Sequence, residues 1–190
     1  MQKSTSVWLL ESNRAIVVGL VVRALTSVAA AVAILLVLAL LVRGEPLPRA
    51  HWLLVPAIPV VLIGQAWCMV VLLASRPARG RWSRDPRRFM FSGLPAWQAN
   101  VVTAIFFLAG ISAATAAFVL QPAGGPRSPT RHCKYPLSDH GYITCVSHER
   151  YVTVGAAEQR FAISVLAGFF VAQAGMSAAA LARRRNIARA

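Results

Sequence analysis

The sequence predicts an all-α membrane protein: a four-transmembrane-helix bundle with a small disulfide-stapled extracytoplasmic hairpin loop between helices 3 and 4. Three observations carry that expectation. Long stretches of the chain carry no charge, or only one. The charges crowd between those stretches and are overwhelmingly basic. Cys133 and Cys145 fall close together in the longest connection.

Of the 190 residues, 57% are hydrophobic and 14% charged, where an ordinary soluble domain carries roughly 25% charge. The first apolar stretch covers 15–42, broken only by Arg23, and the others cover 52–74, 101–120 and 161–182. About 20 helical residues cross a hydrocarbon core about 30 Å thick. Backbone in hydrocarbon must satisfy its own hydrogen bonds, so each span is read as a helix. The helices of a soluble bundle would show a polar face with a 3.6-residue period, and these do not. Val7–Leu10 is too short for the apolar core of a targeting peptide before Glu11 and Arg14 intervene, so the first helix is expected to insert and be retained. The chain reads as one integral membrane domain over 1–190.

Four spans place both termini on one side. That side carries twelve basic residues, in the N-terminal segment, the inner loop 75–100 and the Arg183–Ala190 tail; the other carries seven, in the Arg43–His51 connection and the outer loop 121–160. Basic residues collect on the cytoplasmic flank, so both termini are expected in the cytoplasm and the protein in the cell (inner) membrane. The same rule accounts for the net charge of +14 without nucleic acid, for which no binding motif is present. The inner loop interleaves Arg76, Arg79, Arg81, Arg84, Arg87 and Arg88 with Trp82, Phe89, Phe91 and Trp97. It serves as a topology signal, and it also suits docking on a partner or on anionic lipid headgroups, rings in the interface and guanidinium groups on phosphates. The first outer connection is short and contains Pro46 and Pro48, so helices 1 and 2 are expected to be antiparallel neighbours.

The outer loop opens on the linker-like Gly124-Gly125-Pro126. Farther on, Ser138-Asp139-His140-Gly141 is turn chemistry between Tyr135 and Tyr142-Ile143-Thr144, which predicts a hairpin. Ser147 is placed to cap the helix that follows, with Glu149 in its first turn. Cys133 and Cys145 flank the turn, and on the oxidising side of a membrane a disulfide is expected. It closes a loop of about 13 residues, an ordering contribution on the order of 3 kcal/mol. A metal site built on His132, His140 and His148 is the competing reading, since histidine and cysteine are zinc ligands, although no Cys-x-x-Cys or His-x-x-x-His accompanies them. A redox relay of the sort found in four-helix quinone-linked disulfide-forming proteins needs a second cysteine pair between helices 1 and 2, and Arg43–His51 has none. The third cysteine, Cys68, reads as a small buried apolar residue of helix 2.

Polar residues at membrane depth are costly and often functional. Arg23, Gln65 and Gln173 are the candidates: Arg23 snorkels to the headgroups or faces the bundle, and the glutamines hydrogen-bond across it. Small residues recur every four positions at Ser164, Gly168 and Ala172, followed by Gly175, at Ala109, Ala113 and Ala117, and at Gly19, Ser27 and Ala31 with Arg23 on the same face. Such stripes let helices approach closely. No hydrolase, metalloprotease or phosphate-binding motif appears, and no carboxylate lies in a span. The expected function is therefore non-enzymatic and cofactor-free: an accessory or interaction subunit that contacts other membrane proteins, or copies of itself, through the outer loop and the basic inner loop. The alternative is a subunit of a self-assembling channel or transporter lined by Arg23, Gln65 and Gln173.

The orientation has a direct test. In intact cells, an impermeant thiol reagent should label Ser128→Cys and leave Ser83→Cys unmodified. The reverse pattern would invert the topology.

Overall fold

The computed structural model describes residues 5–47, 51–74, 91, 94–121, 124–131, 133–139 and 141–187. They form four helices and a three-stranded sheet: α1 (Thr5–Arg43), α2 (His51–Ala74), α3 (Ala96–Leu120), β1 (Gly125–Pro126), β2 (Pro136–Asp139), β3 (Tyr142–Cys145) and α4 (His148–Ile187). Among the described residues, three helices are long and apolar enough to cross a bilayer, over Val17–Arg43, Ala96–Leu120 and His148–Ala182; in α2 the described apolar run is Val55–Cys68. Three helices extend beyond the apolar stretches read from the sequence. α1 starts at Thr5, α3 at Ala96 and α4 at His148, because polar residues outside an apolar stretch continue a helix freely when nothing breaks it. The inner-loop arginines, Arg76 to Arg88, lie outside the described residues.

α4 is the helix on which α1, α2 and α3 all pack. α1 meets it through Gly19, Thr26, Ala33 and Leu40, each buried and each seven residues from the last. A seven-residue repeat is the seam of two helices crossing at a shallow angle. Gly19 lies against Leu181, while the residues just past α1 lie against Gln159, so the two helices are antiparallel. Thr26 satisfies its hydroxyl on its own helix by donating to the Val22 carbonyl at 2.8 Å. The expected stripe of Gly19, Arg23, Ser27 and Ala31 is not this seam: Arg23, Ser27 and Ala31 are exposed. In a helix made almost entirely of Ala, Val and Leu, spacing by four does not separate one face from another.

The α3–α4 seam follows the stripes read from the sequence. Ser164 donates to the Ser112 hydroxyl at 2.9 Å, Gly168 lies against Phe106 and Ala109, and Gly175 lies against Val102 and Phe91. Ala113 and Ala116 are buried on the α3 side.

α2 touches α4 through Val61, Gly64 and Cys68, all buried. The Gln173 side chain, wholly buried, reaches into this contact and donates from Nε2 to the Val61 carbonyl at 2.7 Å. A Cβ on Gly64 would sit 2.6 Å from Gln173 Oε1, so the absence of a side chain there is what admits the carboxamide. Oε1 has no hydrogen-bond partner among the described residues.

Among the described residues, α1 and α2 make little direct contact, where their short connection suggested antiparallel neighbours. They flank an open apolar groove of about 500 Å³, with Leu25, Val28 and Val32 on one wall, Pro56 and Val60 on the other, and Phe170 in the floor. α4 stands between them, and each is tied to α4 more closely than to the other. Away from α4 the helices expose large apolar side chains, among them Leu25, Leu35, Ile63, Leu108 and Phe118.

The Gly64–Gln173 contact yields a prediction. Gly64→Ala should lower stability by about 1–3 kcal/mol, the usual range for overpacking, read from denaturation midpoints. Gly64→Ala combined with Gln173→Ala should cost less than the two single changes added together, because the second removes the atom that the first strikes. Strict additivity would mean that the two residues do not share this contact.

Candidate functional site

The elements beyond the apolar stretches form a single structure at one end of the bundle. Its support is the first part of α4, from His148 to Arg160. Ser147 caps this helix by accepting from the Arg150 amide at 3.3 Å, and Glu149 lies in the first turn, where a carboxylate suits the positive helix end. Val154, Ala156 and Ala157 are buried on this segment, so it is a packed stalk.

Three chain segments dock on the stalk. The α1–α2 connection is held by Gln159, which accepts from the Leu47 amide at 2.7 Å and donates to the Leu47 carbonyl at 3.1 Å. One carboxamide thus satisfies both backbone groups of a residue that belongs to no helix or strand, the pairing a neighbouring strand would give. Pro46 packs near Gly155, and Pro126 from β1 approaches the same glycine. The segment after β1 is tied down by Tyr151, whose hydroxyl donates to the Arg127 carbonyl at 2.9 Å. The hairpin is held by ring contacts of Tyr135 with His148, centroids 5.0 Å apart, and with Tyr151, 5.6 Å apart.

The predicted hairpin is present, and it has a third strand. β2 and β3 pair antiparallel from Pro136 opposite Cys145 to Asp139 opposite Tyr142. Two residues remain for the turn, and the second, Gly141, has φ 92°, a conformation that favours glycine. The stretch read as a linker instead supplies β1, with Gly125 opposite Ser138 and Pro126 opposite Leu137. Gly124 has φ 69°, and a side chain there would run into the Ser138 backbone. Its glycine is therefore a requirement of the sheet, where the sequence suggested only flexibility.

Cys133 and Cys145 form the expected disulfide, with Cα atoms 5.6 Å apart. Both sulfurs are committed to each other, which removes two thiolate ligands from the competing metal reading. His148 is exposed, with its ring tilted against that of Tyr135; His132 and His140 lie outside the described residues.

The polar candidates in the helices differ in burial. Gln173 is buried against α2, Gln65 is half-buried on the flank of α2, and Arg23 is exposed on α1. Cys68 is buried as expected, with its thiol 3.9 Å from the Gln173 carbonyl. Gln159 escaped the sequence reading because its contact spans 112 residues. The available signal was a glutamine on the buried side of a helix beside the exposed Glu158.

What the surface offers is basic and rigidly held. Arg127, Arg131, Lys134 and Arg150 are all exposed around the stapled base of the hairpin. The Lys134 ammonium lies 5.5 Å from the Tyr135 ring centroid. A second cleft, of about 430 Å³, lies at the opposite end of the hairpin, between Ala117, Leu120, Asp139, Glu158 and Phe161.

Limited trypsin digestion reads the anchoring. In Cys133→Ser, cleavage after Arg127, Arg131 and Lys134 should accelerate while the helices stay intact, since the staple is worth on the order of 3 kcal/mol. Gln159→Ala should speed cleavage after Arg43 and leave the hairpin sites unchanged. Unaltered cleavage in both variants would mean that neither contact orders its segment.

No protein-family model, curated protein or solved structure matches the chain.

Proposed function

We propose that this chain is a non-enzymatic integral membrane protein that serves as an accessory subunit, presenting a rigid basic surface to partner proteins on the outer side of the bilayer. The observation that carries the reading is the stapled hairpin fixed to the α4 stalk, with Arg127, Arg131, Lys134 and Arg150 exposed on it. A surface ordered before binding loses little conformational entropy on association. Four separate cations favour an acidic partner surface.

Membrane insertion is supported by length and by exposure. Three helices are long and apolar enough to cross a bilayer. The large side chains they expose, Val42 at 87% and Phe118 at 74% among them, would form an apolar surface far beyond what a soluble monomer tolerates. Orientation follows the charge asymmetry, with both termini cytoplasmic in the cell membrane. The arginines from Arg76 to Arg88 then face anionic headgroups or a partner on the cytoplasmic side. In a single copy the channel alternative has little support, because Gln173 is buried against α2 and Arg23 is exposed on α1.

Two experiments test the proposal. A photo-crosslinking residue at Arg131 or Lys134 should give one discrete protein adduct in native membranes, and the same residue at Phe118 should give none of that size. Purified protein reconstituted in liposomes should carry no ion or solute flux. Flux that is lost in Gln173→Leu without loss of folding would overturn the accessory reading in favour of the channel.

A further inference from the structure

We propose that the turn of the stapled hairpin is a membrane-interface anchor, with Tyr142 and Ile143 resting in the headgroup layer of the outer leaflet. The inference rests on the membrane reading above and adds a lipid-contacting site to it.

The hairpin runs back along the stalk toward the bundle. Its base lies at the far end of the stalk, where the Tyr135 ring meets those of His148 and Tyr151. Its turn lies at the near end, where Asp139 lines one cleft with Ala117, Leu120 and Phe161. Those three residues belong to the apolar stretches of α3 and α4. The dimensions agree: the strand from Tyr135 to Asp139 spans about 13 Å, and α4 from His148 to Glu158 spans about 15 Å. The hairpin therefore points its turn at the level where the apolar spans end.

Tyr142 faces Asp139 across the ladder, so it lies at the same level. It is 80% exposed and Ile143 is 60% exposed. Both stand on β3, the outer strand of the sheet, and neighbouring residues of a strand project to opposite faces. On both faces, then, the turn carries a large apolar side chain that the protein leaves uncovered. At the same end of the bundle Phe118 and Phe161 are also exposed, which continues the apolar surface from the helices to the hairpin. A tyrosine at this depth suits the interface, with its ring among the upper acyl chains and its hydroxyl in the wet headgroup layer. The disulfide and the Tyr135 ring contacts fix the hairpin at its base, so the turn is held at this level. The four exposed cations, gathered at the base, remain available to a partner.

The chain has three tyrosines, one at the turn and two at the base, so fluorotyrosine NMR reads the geometry with internal controls. The protein, labelled with 3-fluorotyrosine, is placed in nanodiscs of phosphatidylethanolamine and phosphatidylglycerol, and its resonances are assigned with the three Tyr→Phe variants. A nitroxide near the lipid headgroup should broaden the Tyr142 signal away and spare Tyr135 and Tyr151. A soluble gadolinium chelate should do the reverse. If Tyr142 is broadened by gadolinium and untouched by the lipid nitroxide, the anchor is wrong, and the free β3 edge is open to a protein partner instead. Alkaline carbonate extraction separates that failure from the failure of the membrane reading. Retention in the stripped vesicles leaves insertion standing while the anchor falls; release would sink both.

Discussion

The other described helices of this protein pack on one long helix. α4 has 40 residues, about 60 Å of helix, which is twice the thickness of a hydrocarbon core. α1, α2 and α3 each pack on it, and it presents a different surface to each. Toward α3 it offers Ser164, Gly168 and Gly175, small enough for the backbones to come together. Toward α1 it offers Ile163, Ala167 and Phe170, which share one buried cluster with Ala30, Ala33 and Leu40. Toward α2 it offers Gln173, a polar side chain whose carboxamide donates to a backbone carbonyl.

Two features follow from this arrangement. Because α1 and α2 are each held by α4, their short connection does not bring them together, and the groove between them stays open. The part of α4 that continues past the apolar stretch also becomes the support on which the described segments beyond it dock. The α1–α2 connection, β1 and the hairpin all use that support, through Gln159, Gly155 and Tyr151. The segment between α3 and the apolar part of α4 has few large apolar residues of its own, and of these Val154, Pro136 and Leu137 are deeply buried. It is ordered by a disulfide, by side chains that satisfy backbone groups and by ring contacts, which is the expected recourse where a hydrophobic core is too small.

How much was legible in the sequence depended on contrast. Charge-free stretches against arginine-rich connections marked the helices, and Ser147 marked where the last one begins. The cysteines and the turn residues at Ser138–Gly141 marked the hairpin and its staple but not its register: Ser138 and Asp139 belong to β2, and Pro136 rather than Cys133 stands opposite Cys145 in the ladder. The α3–α4 seam was readable because its glycines and serines stand out from larger neighbours. The α1 seam was not, since Ala and Val occupy every face of that helix and only the packed partner distinguishes Ala30 and Ala33 from Ala31. Gly124 read as flexibility because a sequence does not show which backbone will approach it. Gln159 and Gly64 were invisible for a related reason: each is explained by a residue more than one hundred positions away.

The account depends on α4 being one continuous helix that carries the bundle at one end and the hairpin at the other. Amide hydrogen exchange in lipid nanodiscs measures this directly, since protection reports the free energy of local opening. Slow exchange should extend without a break from Tyr151 through Leu181, across the boundary at Arg160 and Phe161. Exchange at 151–160 as rapid as in an unstructured segment, with protection beginning only at Phe161, would contradict it.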